Sequence, residues 1–437
     1  MPNMDLVRKI FAGMFNRSHF LSIVSIIVLA VVFLGKANTI QLKDTDNLIA
    51  LSNGEKTIVE LITQPMFSQL PAYRPIPQLT IFFQYQMQKL NYLNLYLVFN
   101  LFLWTSSALA LYYLVFITSK SYLASLIASS LFLLDWRAEP ALVWIGERQN
   151  SLAVLSGILL LIILKKFSQQ KINKIYLLNI FLLLITSVFS KEFGLVFLFL
   201  LPILGYFYQI KNKKYLYLIT GIVLTLFILT RFFLIAPNSS YCPGTAFFTQ
   251  LVPCLQDLPF LRKIAQYFYH IGASLLGFFL PNLFFNNRGM IFFKYTNSLW
   301  PFYIMQDVIY LSILLVVVSF FSKIKSKEKY LALLIIIFSA LISFPLFRPR
   351  NHLTGMIGVY WLLAMSLPIL MQHEKYKKLV LMIAILTIAF FGLIIYRSID
   401  LDISGFKKIN VQDSFQELPL DINKKIAEEL NRVYQRN

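Results

Sequence analysis

Residues 19–35 read HFLSIVSIIVLAVVFLG, and residues 36–47 directly after them read KANTIQLKDTDN. The first segment carries no acid, lysine or arginine and is long enough to cross a bilayer as a helix. It lacks the small-residue cleavage site of a signal peptide, so we expect it to be retained in the membrane. The second segment opens a polar stretch that runs from Lys36 to about Tyr92. Asp44 and Asp46 therefore lie just outside a predicted membrane helix, either as ordinary loop residues or as part of a site.

The composition indicates a membrane protein. Hydrophobic residues make up 58% of the 437 residues and charged residues only 14%, and the mean hydropathy is +0.67. A soluble chain of this length would carry about a quarter charged residues. Repeated apolar segments separated by short basic clusters predict an all-α polytopic membrane protein. The net charge of +20 is explained by lysines and arginines that face the cytoplasm, and no nucleic-acid-binding signature is present.

The distribution of basic residues predicts the topology. Arg8, Lys9 and Arg17 precede the first apolar segment, so we expect a cytoplasmic N-terminus. The predicted spans are about 19–35, 93–117, 121–135, 151–164, one that ends at 190, 193–210, 215–235, 306–322, 330–347, 353–371 and 379–396. This gives about eleven spans and an extracytoplasmic C-terminus. Residues 267–285 are predicted to be re-entrant or interfacial on the outer face, with a twelfth span as the alternative.

The same pattern predicts the organisation of the chain. Residues 1–235 form an N-terminal transmembrane module with a long outer loop at 36–92, and residues 236–305 form an outer-face segment. Residues 306–396 supply the C-terminal helices, and residues 397–437 form a short extracytoplasmic tail. Apolar residues recur at helical spacing in this tail between about Leu418 and Arg436, which is typical of a helix that packs on the outer face or binds a membrane-protein partner.

Polar clusters recur on the predicted outer face. All acids except Asp5, Glu328 and Glu374 fall on that side, although six of them follow Asp400 in the C-terminal tail. The clusters are Asp44 and Asp46, residues 73–75, residues 135–140, residues 147–150, residues 190–192 and residues 348–352. Any one of them alone is typical of an interfacial anchor. Six at one membrane depth, mixing carboxylates with arginines, predict the wall of one polar cavity that holds an anionic ligand.

Four of these stretches resemble motifs of the GT-C glycosyltransferases. The similarity is greatest to the transmembrane-and-TPR O-mannosyltransferases and to the related protein O-mannosyltransferases, and it covers about residues 20–210. An acidic motif in the first outer loop is followed by Tyr73-Arg74-Pro75-Ile76, where that family has Tyr-Arg-Pro-Leu. Trp144 and then Arg148-Gln149-Asn150-Ser151-Leu152 stand where the family has Trp and Gly-Arg-Ala-Asp-Leu. Ser190-Lys191-Glu192 matches a Ser-Lys-Glu that the family shares.

The chain also departs from the family pattern. The family has two adjacent acids in the first outer loop; here the spacing puts Asp46 at the second position and Thr45 at the first, while Asp44 is displaced by one residue. The family's His-Pro-x-His-Thr-Glu run before the tryptophan is replaced by residues 135–140, and no TPR repeats follow the last helix.

The resemblance implies a GT-C-like fold and an inverting glycosyltransferase on the extracytoplasmic face of a prokaryotic plasma membrane. It would use a polyprenyl-phosphate-linked sugar donor and a hydroxyl acceptor on a protein or glycan. Asp46, or Asp44, would act as general base. The predicted donor-phosphate ligands are Arg348, Arg350, His352, Arg74 and Arg148. The predicted pocket residues are Tyr73, Glu139, Trp144, Asn150, Lys191 and Glu192.

Three questions stay open from the sequence. Asp44-Thr45-Asp46 also has a form used to hold a divalent cation such as Mg²⁺ or Mn²⁺, so both metal-free and metal-dependent mechanisms are considered. Cys242 and Cys254 are the only cysteines, and in an oxidising compartment they could pair as a disulfide. The alternative functions are an inactive GT-C-like scaffold, a lipid or glycan transporter, and an O-antigen-type polymerase.

Overall fold

The computed structural model describes residues 17–39, 50, 53–54, 56–64, 74–88, 94–230, 271–272, 275–279, 300–343, 352–372 and 374–406. Within these ranges 88% of the residues are helical and no strand occurs. The prediction of an all-α architecture is therefore confirmed for the described part of the chain.

The structure fixes the bounds of the helices. The N-terminal half contains α1 (Arg17–Leu29), α2 (Ile58–Thr63), α3 (Pro75–Gln88), α4 (Asn94–Ser119), α5 (Tyr122–Leu133), α6 (Glu139–Val143), α7 (Arg148–Lys166), α8 (Lys174–Ser190), α9 (Leu195–Phe207) and α10 (Lys214–Leu229). The C-terminal half contains α11 (Trp300–Phe321), α12 (Glu328–Ser343), α13 (Leu353–Leu370) and α14 (Glu374–Phe406). A π-helical turn (Ala30–Leu34) and a 3-10 turn (Gly35–Thr39) extend α1.

Several of these helices are suited to a membrane. Six helices in the described ranges are long and apolar enough to cross it: 18–37, 95–119, 145–166, 304–321, 353–370 and 376–397. They indicate a membrane protein, as the composition predicts. The remaining apolar helices, including α5, α8, α9 and α10, are shorter and occupy the other segments predicted as spans. The count of eleven spans stays a prediction.

The long helices divide into a centre and a periphery. Helix α13 packs against α4, α5, α11 and α12, and all of its residues from Leu353 to Leu367 are buried. A helix that is apolar on every side belongs inside a helical protein. By contrast, α1, α11 and α14 expose apolar side chains, such as Val28 at 51%, Val318 at 64% and Leu386 at 61%. Lipid tails suit such surfaces, so we place these three helices at the lipid-facing periphery.

Close packing of α12 on α13 depends on a glycine. A Cβ atom at Gly358 would lie 2.3 Å from the backbone carbonyl oxygen of Ala332, a distance that no side chain can occupy. Small residues let membrane helices approach closely, because dispersion contacts replace the hydrophobic driving force that is absent in lipid. Gly358 therefore sets the distance between these two helices.

Polar residues collect at the two ends of the helices and form two layers. Helix α7 reaches both: Arg148 is its first residue and Lys165 lies in its last turn, roughly 26 Å further along the axis. Near its first turn Lys191 contacts Glu147, and near its last turn Lys165 pairs with Glu328. The separation is close to the thickness of a bilayer core. The first layer is the predicted outer face and the second is the predicted cytoplasmic face.

The bounds of two C-terminal helices differ clearly from the sequence prediction. Helix α11 begins at Trp300 and not at Gln306, and α14 runs from Glu374 to Phe406 and not from 379 to 396. Ile395 and Ile399 are both fully buried one helical turn apart, so the packed face of α14 continues past Tyr396. The predicted boundary between the last helix and the tail, at residue 397, therefore falls inside a helix.

Candidate functional site

Part of the predicted site lies outside the described residues. This applies to Asp44 and Asp46, which carry the predicted catalysis and metal binding, to Tyr73, Arg348 and Arg350, and to the predicted Cys242–Cys254 disulfide. Among the described residues, no group of three His, Cys, Asp or Glu side chains is arranged to hold a metal ion.

Arg74 joins two segments that are far apart in the sequence. Its Nη1 donates to Oε1 of Gln149 at 2.7 Å, and its Nη2 donates to Oε2 of Glu192 at 3.0 Å. The side chains of Arg74 and Glu192 are 15% and 14% exposed, so the ion pair is largely shielded from solvent. Arg74 thereby links the Tyr-Arg-Pro stretch to the stretch that contains Gln149 and to the Ser-Lys-Glu stretch that contains Glu192.

A second ion pair lies between the same segments. Lys191 Nζ donates to Oε2 of Glu147 at 3.1 Å, and the side-chain amide of Asn150 donates to the same oxygen. Both charged side chains are almost completely buried. We call Arg74, Glu147, Gln149, Asn150, Lys191 and Glu192 together the Arg74 cluster. It contains two cations and two carboxylates, so it is neutral overall, and its charges are paired with one another.

Short turns between helices present these side chains. A 3-10 turn at Ile145–Glu147 leads into α7, so Glu147, Gln149 and Asn150 leave the chain within one helical turn. Lys191 ends α8 in an extended conformation (φ −158°, ψ 149°), and a 3-10 turn at Glu192–Gly194 follows it. A Cβ atom at Gly194 would lie 2.2 Å from the carbonyl oxygen of Ser187, so only glycine lets this turn fold back onto α8.

Some buried polar atoms at these motifs have no hydrogen-bond partner within the described part of the chain. They include Nε of Arg74 and the hydroxyls of Ser151 and Ser190. A buried donor of a charged group without a partner is uncommon in folded proteins and calls for an explanation. The guanidinium of Arg74 therefore keeps a buried Nε–H donor in addition to the N–H groups that bond within the cluster.

The outer loop is anchored beside this cluster. Thr57 and Glu60 form a capping box at the start of α2, in which each side chain accepts from the other's backbone N–H. The backbone hydrogen bond from Thr57 lowers the pKa of Glu60. Gln86 in α3 donates to the carbonyl of Gly54 at 2.9 Å, and α3 packs against both α7 and α8. The loop thus lies against the helices that carry Gln149 and Lys191.

Arg148 faces a different neighbourhood. Its Nε donates to Oδ1 of Asn100, and its Nη2 donates to Oε1 of Gln84, both at 2.8 Å. The guanidinium lies 4.8 Å from the ring centroid of Phe99, and the side chain is fully buried. These contacts connect α7 to α3 and α4. Arg148, which the sequence predicted to bind the donor phosphate, is therefore bound to amide oxygens and an aromatic ring of the protein itself.

The turn after α5 forms a buried ion pair. Arg137 Nε and Nη2 donate to the two carboxylate oxygens of Asp135 at 2.8 Å each, and both side chains are fully buried. Tyr360 of α13 donates to Oδ2 of Asp135 at 2.9 Å, and Arg137 donates to the carbonyl of Phe278 at 3.3 Å. Burial acts to lower the pKa of Arg137, and the adjacent carboxylate more than offsets this, so the pKa is raised. We call Asp135, Arg137 and Tyr360 the Asp135 cluster.

The other predicted pocket residues lie around these clusters. His352 precedes α13, is fully buried and packs edge-on against Phe278 at 4.6 Å between ring centroids, beside the Asp135 cluster. Glu139 is buried in the first turn of α6. The carbonyl of Trp144 accepts from Asn100 at 3.2 Å. Of the predicted residues, the structure brings Arg74, Asn150, Lys191 and Glu192 into one cluster and leaves His352 and Arg148 in other contacts.

No family model, curated protein or solved structure gives a significant match to this chain. The resemblance to GT-C glycosyltransferases therefore rests on the motifs in the sequence.

Several residues of these clusters were absent from the sequence-predicted site. Glu147 and Gln149 belong to the polar stretch 147–150, and their position near Asn150 was the available signal. Asn100, which bonds to Arg148 outside the two clusters, is an amide in the interior of an apolar helix, and in a membrane segment this points to a buried hydrogen-bond partner. Tyr360 carries no such signal, because tyrosine is common at membrane interfaces and its helix is otherwise apolar.

Proposed function

We propose that this chain is a membrane glycosyltransferase that moves a sugar from a polyprenyl-phosphate donor to an acceptor hydroxyl on the extracytoplasmic face. One observation carries the proposal. Three short motifs that resemble those of GT-C enzymes, around Arg74, Gln149 and Glu192, are joined by direct hydrogen bonds although 75 and 118 residues separate Arg74 from the other two. Motifs that matched by chance would have no reason to meet in space.

The proposed reaction is an inverting displacement. Asp46, with Asp44 as the alternative, takes the proton from the acceptor hydroxyl, and the hydroxyl oxygen attacks the anomeric carbon of the donor sugar. The bond between that carbon and the phosphate oxygen breaks as the new glycosidic bond forms. The bonding electrons leave with the polyprenyl phosphate, whose added negative charge needs cationic hydrogen-bond donors nearby.

The Arg74 cluster supports the phosphate end of this reaction. Arg74 is held in position by Gln149 and Glu192, and its Nε remains as a buried donor. Arginine is well suited to a phosphate group, because its planar fork of N–H donors matches the oxygens of the anion. Arg348 and Arg350 are further proposed phosphate ligands. Lys191 and Glu147 would hold the Ser-Lys-Glu turn in register and take no part in bond making.

A second candidate function is a GT-C-like scaffold without catalysis. The pairing of the charged groups inside the Arg74 cluster favours it, since Lys191 with Glu147 and Arg74 with Glu192 already satisfy each other. A purely structural cluster would look the same. The two candidates differ in whether the chain consumes a lipid-linked sugar.

The test measures donor consumption directly. The purified chain in nanodiscs is given a panel of short-chain polyprenyl-phosphate-linked sugars with an extract of host membranes as the acceptor source. Release of polyprenyl phosphate is followed by mass spectrometry. We expect consumption of at least one donor by the parent chain, and loss of that activity to the level of empty nanodiscs when Asp44 and Asp46 are both replaced by alanine.

A matched control removes a different carboxylate from the same outer loop. Glu60→Gln takes away a partly exposed acid of α2, and it should leave the rate of transfer within about twofold of the parent because helix capping is a small, local effect. If no donor in the panel is consumed, the scaffold is favoured. If the double alanine variant transfers sugar at the parent rate, the assignment of Asp44 and Asp46 is wrong.

A further inference from the structure

The polar layer opposite the Arg74 cluster is formed by three connecting turns rich in lysine. They are residues 165–174 between α7 and α8, residues 208–214 between α9 and α10, and residues 323–329 between α11 and α12. Together they contain eleven lysines and a single acid, Glu328. We call these three turns the lysine platform.

Two of the turns are bonded to each other through the backbone. The backbone N–H of Gln169 donates to the carbonyl of Tyr208 at 2.8 Å. The side chain of Asn212 accepts from the N–H of Ile172 at 2.8 Å and donates to the carbonyl of the same residue at 2.7 Å. Asn212 is buried, and its two hydrogen bonds hold the turns together. The lysines on both turns are therefore carried by one ordered unit.

The third turn is attached through its acid. Glu328 accepts from Lys165 and from the hydroxyl of Ser326, and it is buried at the start of α12. Lys329 turns inward as well, and its Nζ donates to the carbonyl of Phe321 at 2.9 Å. The single acid of the platform is thus used to hold the turns together and does not neutralise the outward-facing lysines.

The remaining lysines of the platform face outward. Those that are exposed are Lys166, Lys171, Lys174, Lys211, Lys214, Lys323, Lys325 and Lys327. Several platform lysines lie over aromatic rings at the helix ends, at about 5 Å from the ring centroid: Lys166 over Tyr176, Lys213 over Tyr206, Lys214 over Tyr215, Lys323 over Phe320 and Lys329 over Tyr330. Tyrosines and lysines mixed in this way are typical of the headgroup depth of a membrane.

The positive-inside rule explains how many lysines these turns carry, but it does not require the turns to be bonded to one another. A set of loops that served only to orient the chain could be disordered and independent. Here a buried asparagine, backbone hydrogen bonds and a lysine–glutamate pair fix the turns in one arrangement at headgroup depth.

We propose that the lysine platform is a binding site for the headgroups of anionic phospholipids. A phosphate at this depth meets several lysines whose backbone is already ordered, so little conformational entropy is lost when they close on it. The aromatic rings flank the glycerol and upper acyl region of the same lipid. This inference is independent of the proposed glycosyl transfer, which concerns the other polar layer.

The experiment compares lipid retention by the full chain. The protein is reconstituted in nanodiscs of equal parts phosphatidylcholine and phosphatidylglycerol, and native mass spectrometry counts the lipids that stay bound after release. The test variant carries Lys171→Gln and Lys211→Gln, which are both exposed and lie on the two bonded turns. The matched control carries Lys377→Gln and Lys378→Gln, which replace two exposed lysines of α14. Helix α14 makes at most marginal contact with α7, α8, α9 and α10.

We expect the parent to retain phosphatidylglycerol over phosphatidylcholine, and the platform variant to lose roughly tenfold of that preference. The control variant should keep it, and Lys171→Arg with Lys211→Arg should restore it. Equal retention of the two lipids by the parent, or an equal loss in the control, would overturn the proposal. Soluble glycerol phosphate at millimolar concentration should not displace the retained lipid. Displacement would show a site for a free phosphate ion and would overturn the assignment to lipid.

Discussion

The fully buried pair of Asp135 and Arg137 gives the sharpest test of the fold. Tyr360 donates to Oδ2 of Asp135 and the backbone N–H of Arg137 donates to Oδ1, so Asp135→Asn keeps one of these two acceptor oxygens and removes the negative charge. Arg137→Met removes the positive charge and keeps a long apolar side chain. The double variant Asp135→Asn with Arg137→Met removes both charges from the same buried space.

The structure sets the expected magnitudes. Each single change leaves one unpaired charge with no exposure to solvent, and breaking a buried pair in this way costs about 3–5 kcal/mol. In the Asp135→Asn variant the guanidinium cannot lose its proton to relieve the cost, because arginine stays charged even when its surroundings disfavour the cation. The double variant leaves no buried charge, so it should cost less than either single change.

The assay is reversible unfolding in mixed micelles, with SDS as the denaturant and helix content followed by circular dichroism. A loss of about 3–5 kcal/mol corresponds to roughly a 150- to 5,000-fold change in the unfolding equilibrium constant. Lys378→Met is the control, because it replaces an exposed cation by the same apolar side chain and should change the free energy of unfolding by less than about 0.5 kcal/mol.

The refuting result is specific. If the double variant were as unstable as the sum of the two single variants, the two residues would act independently. The ion pair would then not be the feature that joins the turn after α5 to α13. A single variant with the stability of the parent would show that Asp135 and Arg137 are open to water.

Three further predictions concern single positions. Gly194→Ala should abolish the proposed sugar transfer while the protein still folds, because its Cβ would clash with the carbonyl of Ser187 and displace the turn that carries the Ser-Lys-Glu motif; transfer at the parent rate would contradict this. Phe278→Ala should lower the free energy of unfolding by about 3–5 kcal/mol in the SDS titration, since it empties a fully buried ring site, and a change below 1 kcal/mol would contradict it. Glu328→Gln should lower it by about 1 kcal/mol, because Lys165 loses its charged acceptor, and should leave transfer unchanged.

Hydropathy predicted the helices well where a polar residue stops an apolar run. The helix predicted at 93–117 is observed at 94–119, and the one that was predicted to end at Ser190 does so. The start of α7 was predicted at Ser151 but lies at Arg148. Arg148, Gln149 and Asn150 look like turn residues in the sequence. They are helical because Asn100, Arg74 and Glu147 satisfy their side chains inside the protein.

The sequence predicted which side each polar motif faces, but not which partner it meets. Sidedness is predicted by counting spans and charges, and it put Arg74, Asn150, Lys191 and Glu192 on one face; the structure shows hydrogen bonds among the segments that carry them, and the orientation stays a prediction. Partner choice depends on which helices are neighbours and on how each is rotated, and these are set by packing across the whole bundle. Arg137 contacts Phe278, which lies 141 residues away in the sequence, and Asp135 contacts Tyr360, which lies 225 residues away. No local sequence pattern predicts contacts over such distances.

The contacts at both ends of helix α7 limit which insertions this helix can accept. Inserting one residue in its middle would turn one end by about 100° relative to the other and move it by about 1.5 Å. Either Gln149 would leave Arg74 or Lys165 would leave Glu328, although the hydropathy of the helix would hardly change. Inserting seven residues would nearly restore the rotation but would separate the ends by a further 10 Å or so. The number of residues in helix α7 is therefore set by the distance between the two polar layers that its ends contact.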